Sequence, residues 1–191
     1  MKNKKVSDQI NHLTRLAHSE NIDEVFVWDH SFYPLSYYPD RFKTGSDGTL
    51  DLDNADFWQW YKEDYRRMLD LVPDIDGLIL TFIETAAYAE KQHSERMTTP
   101  EEKLAAVVNA VADVVIGERE KKLYIRTFAY SEEEYAGIVG CIKYIRNDKV
   151  ALKGRTNFGR RVFFQKERLS DTCDEIYLLK GGKVIKRVFL W

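Results

Sequence analysis

The stretch Gly77-Leu78-Ile79-Leu80-Thr81-Phe82-Ile83, which ends in Glu84, decides the fold class of this chain. An apolar run of this length, bounded by turn residues, is typical of a strand buried on both faces of a parallel sheet. Pro73 stands shortly before it and ends the preceding helical pattern. The stretch therefore predicts an inner strand of an α/β protein, with a charged residue at its carboxyl end.

Similar short apolar runs occur before and after this stretch. They predict three further strands, at residues 24–28, 123–128 and 150–152. Apolar residues at helical spacing separate the strands and predict helices, which lie at 6–20, 54–72, 85–97, 100–115 and 132–145. Alternation of strands and helices is the pattern of a parallel sheet with right-handed crossovers. The predicted fold class is therefore α/β, a partial (β/α) barrel of about four parallel βα units followed by a short antiparallel β-hairpin.

The composition fits a globular protein of 191 residues, of which 44% are hydrophobic and 31% charged. No run approaches the roughly 18 apolar residues of a membrane helix, so no membrane association is expected. The basic start leads into an amphipathic segment rather than a secretory leader, which predicts a cytoplasmic location. Cys141 and Cys173 stand apart without a CxxC motif. We therefore expect no disulfide framework, no metal site and no cofactor.

Charge is distributed unevenly along the chain. Residues 1–150 hold 19 Lys and Arg against 27 Asp and Glu, a balance of −8, whereas residues 151–191 hold 10 against 4, a balance of +6. The shift predicts two units, a barrel-like part at 1–153 and a basic hairpin tail at 154–191 that turns at Gly181-Gly182. No RNA- or DNA-binding motif accompanies the basic tail, so a solvated hairpin face is expected rather than nucleic-acid binding.

Polar side chains stand where the predicted strands end. They are Asp29 with His30 after the first strand, Glu84 after the second, Arg126 near the end of the third and Lys153 after the fourth. In parallel α/β barrels, reactive groups collect at this end of the strands because the loops there converge. Nearby aromatic residues, among them Trp28 and Tyr33, would supply flat apolar faces for sugar rings. These residue types together predict a site for a polyhydroxylated or anionic sugar.

Each of these residues also has a structural interpretation. Glu84 can begin a helix, because a carboxylate is favourable near a helix N-terminus. Arg126 can pair with a neighbouring acid, and His30 can serve as a hydrogen-bonded structural residue. Without further information, these interpretations stand beside the functional one.

Four longer motifs follow one another along the first two thirds of the chain. The stretch 57–62 (FWQWYK), the helix stop 71–74 (LVPD), the strand running to Glu84, and the strand end 125–130 (IRTFAY) together resemble the catalytic barrel of microbial α-glucuronidases. The resemblance covers about residues 24–130. It implies a TIM-barrel glycoside hydrolase in which Glu84 is the general acid, with Trp28, Asp29, His30, Tyr33, Arg126 and Lys153 in the substrate site.

The sequence departs from that family in two respects. Inverting hydrolysis needs a second carboxylate about 6.5–9.5 Å from the first, and the strand at 150–152 leads to Lys153 instead of an acid. A complete barrel also needs about 250 residues. We therefore expect a truncated barrel that is weak or inactive alone, and that self-associates through its open sheet edges.

The tail carries a second, weaker resemblance. Residues 168–185 are similar to the end of ABC-transporter ATPase domains, but Glu167 stands where that family has a histidine, and the chain has no phosphate-binding GxxxxGK[ST] loop. No ATPase activity is expected. The leading hypothesis is a carbohydrate-active protein with a carbohydrate ligand; the alternative is a small, non-enzymatic α/β interaction protein.

Overall fold

A computed structural model of the protein describes residues 2–44, 47–155, 161–165, 175–180 and 183–189, with side chains described at 4–44 and 47–152. Four strands form an all-parallel sheet in the order of the sequence: β1 (Phe26–His30), β2 (Gly77–Thr81), β3 (Lys122–Arg126) and β4 (Ala151–Arg155). A fifth strand, β5 (Arg161–Gln165), pairs antiparallel with β4. The predicted mixed α/β class with four parallel strands is confirmed.

Four α-helices accompany the sheet: α1 (Lys2–Ser19), α2 (Ala55–Leu71), α3 (Pro100–Ala112) and α4 (Glu132–Gly140). The predicted start of α3 is confirmed, because Thr99 and Glu102 form a reciprocal capping box. A π-helical turn (Asp113–Glu118) continues α3, and a 3₁₀ turn (Cys141–Tyr144) continues α4. None of the described helices is long and apolar enough to cross a membrane.

The two faces of the sheet differ in burial. Side chains on a strand point alternately to opposite faces. On the face toward the helices, the strands contribute fully buried aliphatic residues: Leu78, Leu80, Leu123, Ile125 and Leu152. They belong to a core that includes the inner stripes of α2 and α3. On the opposite face, Trp28, Ile79, Tyr124 and Ala151 are aligned across the four strands and only partly buried or exposed. We call this the uncovered face.

Strand β1 begins and ends two residues later than the sequence predicts. It starts at Phe26, in register with Gly77, and includes Asp29 and His30. Just before it, the Val25 amide donates to the Asp76 carboxylate at 2.7 Å. Because Asp29 and His30 lie within the strand rather than after it, their side chains point to opposite faces of the sheet.

The predicted helix at 85–97 is wrong. This segment holds only a 3₁₀ turn, Ala89–Lys91, and then runs beside residues 50–52. The Leu50 amide donates to Gln92 Oε1 at 2.9 Å, and the His93 amide donates to the Leu50 carbonyl at 2.9 Å. These tertiary hydrogen bonds replace the ones that a helix would have made.

The tail contains two further strands, β6 (Glu175–Lys180) and β7 (Lys183–Phe189), which pair antiparallel. The predicted turn at Gly181-Gly182 lies outside the described residues, as do all side chains after residue 152. The basic hairpin tail and the boundary between 153 and 154 therefore stay predictions.

Candidate functional site

Three of the predicted site residues come together on the uncovered face. Trp28 and His30 are two residues apart on β1, and their rings stack at 5.9 Å between centroids with 25° between the planes. The guanidinium carbon of Arg126, at the end of β3, lies 4.3 Å from the centroid of the Trp28 ring and 4.3 Å from that of Phe128. Arg126 thus makes cation–π contacts with both rings, an arrangement that favours a fixed guanidinium.

Glu84 joins this group from the loop after β2. Its Oε2 accepts a hydrogen bond from Arg126 Nη1 at 2.8 Å, and its Oε1 accepts one from the Tyr130 hydroxyl at 2.9 Å. The backbone of Glu84 has φ +64°, in the left-handed region that residues other than glycine rarely adopt. Residues held in such conformations collect at functional sites.

The charge state of Glu84 is set by these contacts. The hydrogen bond from Arg126, and after it the one from Tyr130, hold the pKa of Glu84 below its ordinary value. A general acid needs the opposite shift, because it must carry a proton near neutral pH. A second carboxylate, Glu134, accepts from the Tyr130 backbone amide at 2.8 Å, but none of the described hydrogen bonds joins it to Glu84 or Arg126. In this geometry Glu84 is therefore an ionised hydrogen-bond acceptor.

Aromatic rings border the charged network and remain accessible. Trp28 is 51% exposed and Tyr130 is 59% exposed. The Arg126–Trp28 contact covers part of the indole, and the rest faces outward. The result is a surface on which a carboxylate, a guanidinium, a phenol and an indole lie next to one another. We call Trp28, His30, Glu84, Arg126 and Tyr130 the strand-end site.

Asp29 and Tyr33 lie elsewhere. The Tyr33 hydroxyl donates to Asp29 Oδ1 at 2.6 Å, and Tyr65 of α2 also hydrogen-bonds to Asp29. These contacts place Asp29 on the helix side of the sheet, in a cleft of about 640 Å³ between α2 and the aromatic loop after β1. The structure therefore does not bring Asp29 and Tyr33 together with the strand-end site.

Lys153 is placed by its backbone alone. It pairs with Arg126 in the register of β3 and β4, which puts it at the same level of the sheet as the strand-end site. Its side chain lies outside the described residues. The binding roles of Asp29, His30, Arg126, Lys153, Trp28 and Tyr33, and the catalytic role of Glu84, stay predictions.

Two residues that contact this group, Phe128 and Tyr130, were not among the predicted site residues. They follow Arg126 at spacings of two and four residues. Extending the two-residue period of β3 past its end would have placed both rings near the Arg126 side. That periodicity was the available signal.

Within the described part of the chain, no three His, Cys, Asp or Glu side chains cluster so that they could hold a metal ion. Cys141 is buried, and Cys173 lies outside the described residues. No protein family, curated protein or solved structure compared with this chain matches it.

Proposed function

We propose that this protein binds carbohydrate at the strand-end site. The observation that carries the proposal is the ion pair between Glu84 and Arg126, supported by Tyr130 and lying against a half-exposed Trp28. A sugar ring presents hydroxyl groups at its edges and C–H groups on its faces. A carboxylate accepts from hydroxyls, a guanidinium donates to them, and an indole packs against the apolar face.

The paired groups keep capacity for a ligand. An ionised carboxylate has about four lone-pair positions, and Glu84 uses two of them for Arg126 and Tyr130. A guanidinium has five N–H donors, and a single one of them is engaged by Glu84. The ion pair therefore orients both groups while leaving acceptors and donors for sugar hydroxyls.

The arrangement of the strands supports a relation to (β/α) barrels. In such barrels, sequential parallel strands lie side by side, the helices lie outside, and sites form at the carboxyl ends of the strands. A partial barrel, its glycoside-hydrolase ancestry and the likeness to α-glucuronidases are part of this proposal. Hydrolysis is not part of the proposal, because the lowered pKa of Glu84 favours binding over proton donation.

The test uses the full chain, first on an array of neutral and acidic oligosaccharides and then by calorimetry with those retained. Trp28→Ala should weaken binding about 2- to 12-fold, the equivalent of the roughly 0.5–1.5 kcal/mol of an aromatic contact. Glu84→Gln should also weaken it, because the amide is a poorer partner for Arg126.

Tyr144→Ala is the matched control, since Tyr144 is a 40% exposed aromatic residue away from the strand-end site. It should leave sugar binding unchanged. The proposal fails if no saccharide binds, or if Tyr144→Ala and Trp28→Ala have equal effects. Release of reducing sugar during incubation would instead establish turnover and restore a catalytic role for Glu84.

The alternative, a non-enzymatic interaction protein, is supported by a different observation. Among the described residues, no strand pairs with the outer edge of β1, and the uncovered face beside it exposes Trp28. Unpaired strand edges template pairing with another chain. We therefore retain self-association through this edge as the second candidate.

A further inference from the structure

A second site lies on the helix side of β1. There, a cleft of about 640 Å³ opens between α2 and the loop that follows β1. Pockets for small ligands have volumes of about 300–1,000 Å³. We propose that this cleft, which we call the Asp29 cleft, binds a small organic cation with an alkylammonium group. The site is on the opposite side of the sheet from the strand-end site, so the two proposals stand or fall independently.

The walls of the cleft are mainly tyrosine rings. Tyr33 and Tyr37 contact each other at 5.3 Å between ring centroids, and Tyr37 contacts Tyr38 at 5.4 Å in an edge-to-face arrangement. From α2, Tyr61 and Tyr65 contact each other at 5.2 Å. The faces of aromatic rings carry partial negative charge and attract cations, and groups of such rings recognise alkylammonium ions.

The Asp29 carboxylate lies among these rings. Asp29 accepts from Tyr33 at 2.6 Å and is hydrogen-bonded by Tyr65, both of which are neutral phenols. Among the described side chains, no lysine or arginine forms an ion pair with it. Burial raises the pKa of Asp29 above its ordinary value of 3.8, although the phenol hydrogen bonds oppose that shift. A bound cation would supply the missing opposite charge.

The charge of the whole lining favours the same ligand. A second carboxylate, Asp64, accepts from the Tyr37 hydroxyl at 2.7 Å and pairs with Arg67 at 3.1 Å. The cleft therefore contains two carboxylates against one guanidinium. An anionic ligand would meet net repulsion, and a neutral ligand would leave Asp29 uncompensated.

The test compares choline with 3,3-dimethylbutan-1-ol, its uncharged carbon isostere, by calorimetry and by the shift in melting temperature of the full chain. Because the two probes have the same shape, any difference reports the charge. Choline should bind and raise the melting temperature, whereas the alcohol should do neither. Butylammonium against butan-1-ol repeats the comparison for a primary ammonium group.

Two variants assign the effect to the carboxylate. Asp29→Asn keeps the size of the side chain and should weaken choline binding at least tenfold. Tyr33→Phe removes the hydroxyl but keeps the ring, and should leave binding within about threefold of wild type. Asp113→Asn is the matched control, because Asp113 is a carboxylate of another cleft, paired with Lys62 at 2.6 Å. It should have no effect on binding.

Several results would overturn the proposal. Equal binding of choline and its isostere would show that charge is not recognised, and absence of binding by both ammonium probes would refute the site. If Asp29→Asn bound choline as wild type does, Asp29 would serve only to hold Tyr33 against α2. Should Asp29→Asn fail to fold, the comparison of charged and uncharged probes on the wild-type chain still decides.

Discussion

Gly77, at the start of β2, is a position where adding one methyl group should strongly destabilise the sheet. A Cβ built on Gly77 would overlap the carbonyl group of Lys122 on β3 and lie 2.8 Å from the ring of Phe26 on β1. The register pairs Gly77 with Lys122 on one side and with Phe26 on the other. Gly77→Ala therefore forces backbone, and not only side chains, to move.

The magnitude follows from what can give way. The Phe26 ring packs edge-to-face on Tyr124 at 5.0 Å, and the Lys122 amide donates to the Asp76 carbonyl at 2.9 Å, so both neighbours are held in place. Overpacking of this kind costs about 1–3 kcal/mol. For a protein of this size, each kcal/mol lowers the melting temperature by about 2–4 °C. We expect Gly77→Ala to lower it by about 2–12 °C.

Gly117 provides the matched control. It lies in the π-helical turn after α3, and a Cβ there would meet its nearest atom, the Ala112 carbonyl oxygen, at 3.9 Å. Replacing a helical glycine by alanine stabilises by about 0.5–1 kcal/mol, so Gly117→Ala should raise the melting temperature. Both variants are measured by thermal and urea denaturation followed by circular dichroism. If Gly77→Ala melts at or above the wild-type temperature, the close approach of β2 to β3 is wrong.

Two further predictions concern association and pH. If β1 is an open edge, light scattering should show a dimer whose fraction rises with protein concentration. The Trp28→Lys variant should be a monomer under the same conditions. A wild-type protein that stays monomeric at every concentration would contradict this prediction. The pKa of Asp29 is higher in the folded protein than in the unfolded chain. Protonation of Asp29 therefore stabilises the folded state, fully at pH values below the unfolded pKa, and this stabilisation is lost as pH rises through the folded pKa. Wild type should therefore gain stability relative to Asp29→Asn on acidification, and a difference in melting temperature independent of pH would refute that sign.

The strand and helix pattern was predictable because it rests on local periodicity. The apolar run at 77–83 and the capping box at Thr99 need no tertiary information. Strand β2 begins at Gly77 as predicted but ends at Thr81, two residues early, and the capping box forms where the sequence places it. The helix at 85–97 was not predictable in the same way. Its polar residues fit a helix as well as a loop. The choice is made by two hydrogen bonds with Leu50, more than forty residues earlier: the Leu50 amide donates to Gln92 Oε1, and the His93 amide donates to the Leu50 carbonyl.

For the site, topology was predictable and electrostatics was not. Glu84 lies just past β2 and Arg126 is the last residue of β3, and these two strands are adjacent and parallel, so their meeting is a consequence of strand order. The direction of the Glu84 pKa shift depends on whether Arg126 reaches it, and on the unpredicted Tyr130 hydroxyl. A strand-end carboxylate in the sequence is compatible with either an acid or an ionised acceptor.

The separation of Asp29 from His30 has a consequence that reaches beyond one boundary error. The sequence presents Asp29 and His30 as one pair in the loop after β1. Because β1 extends through both of them and neighbouring residues on a strand face opposite sides, the two side chains lie in different environments. On the uncovered side, Glu84 meets a guanidinium and its pKa falls; on the helix side, Asp29 meets phenols and its pKa rises. The first carboxylate is suited to orient donors for a neutral, polyhydroxylated ligand. Among the described side chains, the second forms no ion pair with a lysine or arginine, and that is the physical reason to expect a cation there rather than a sugar.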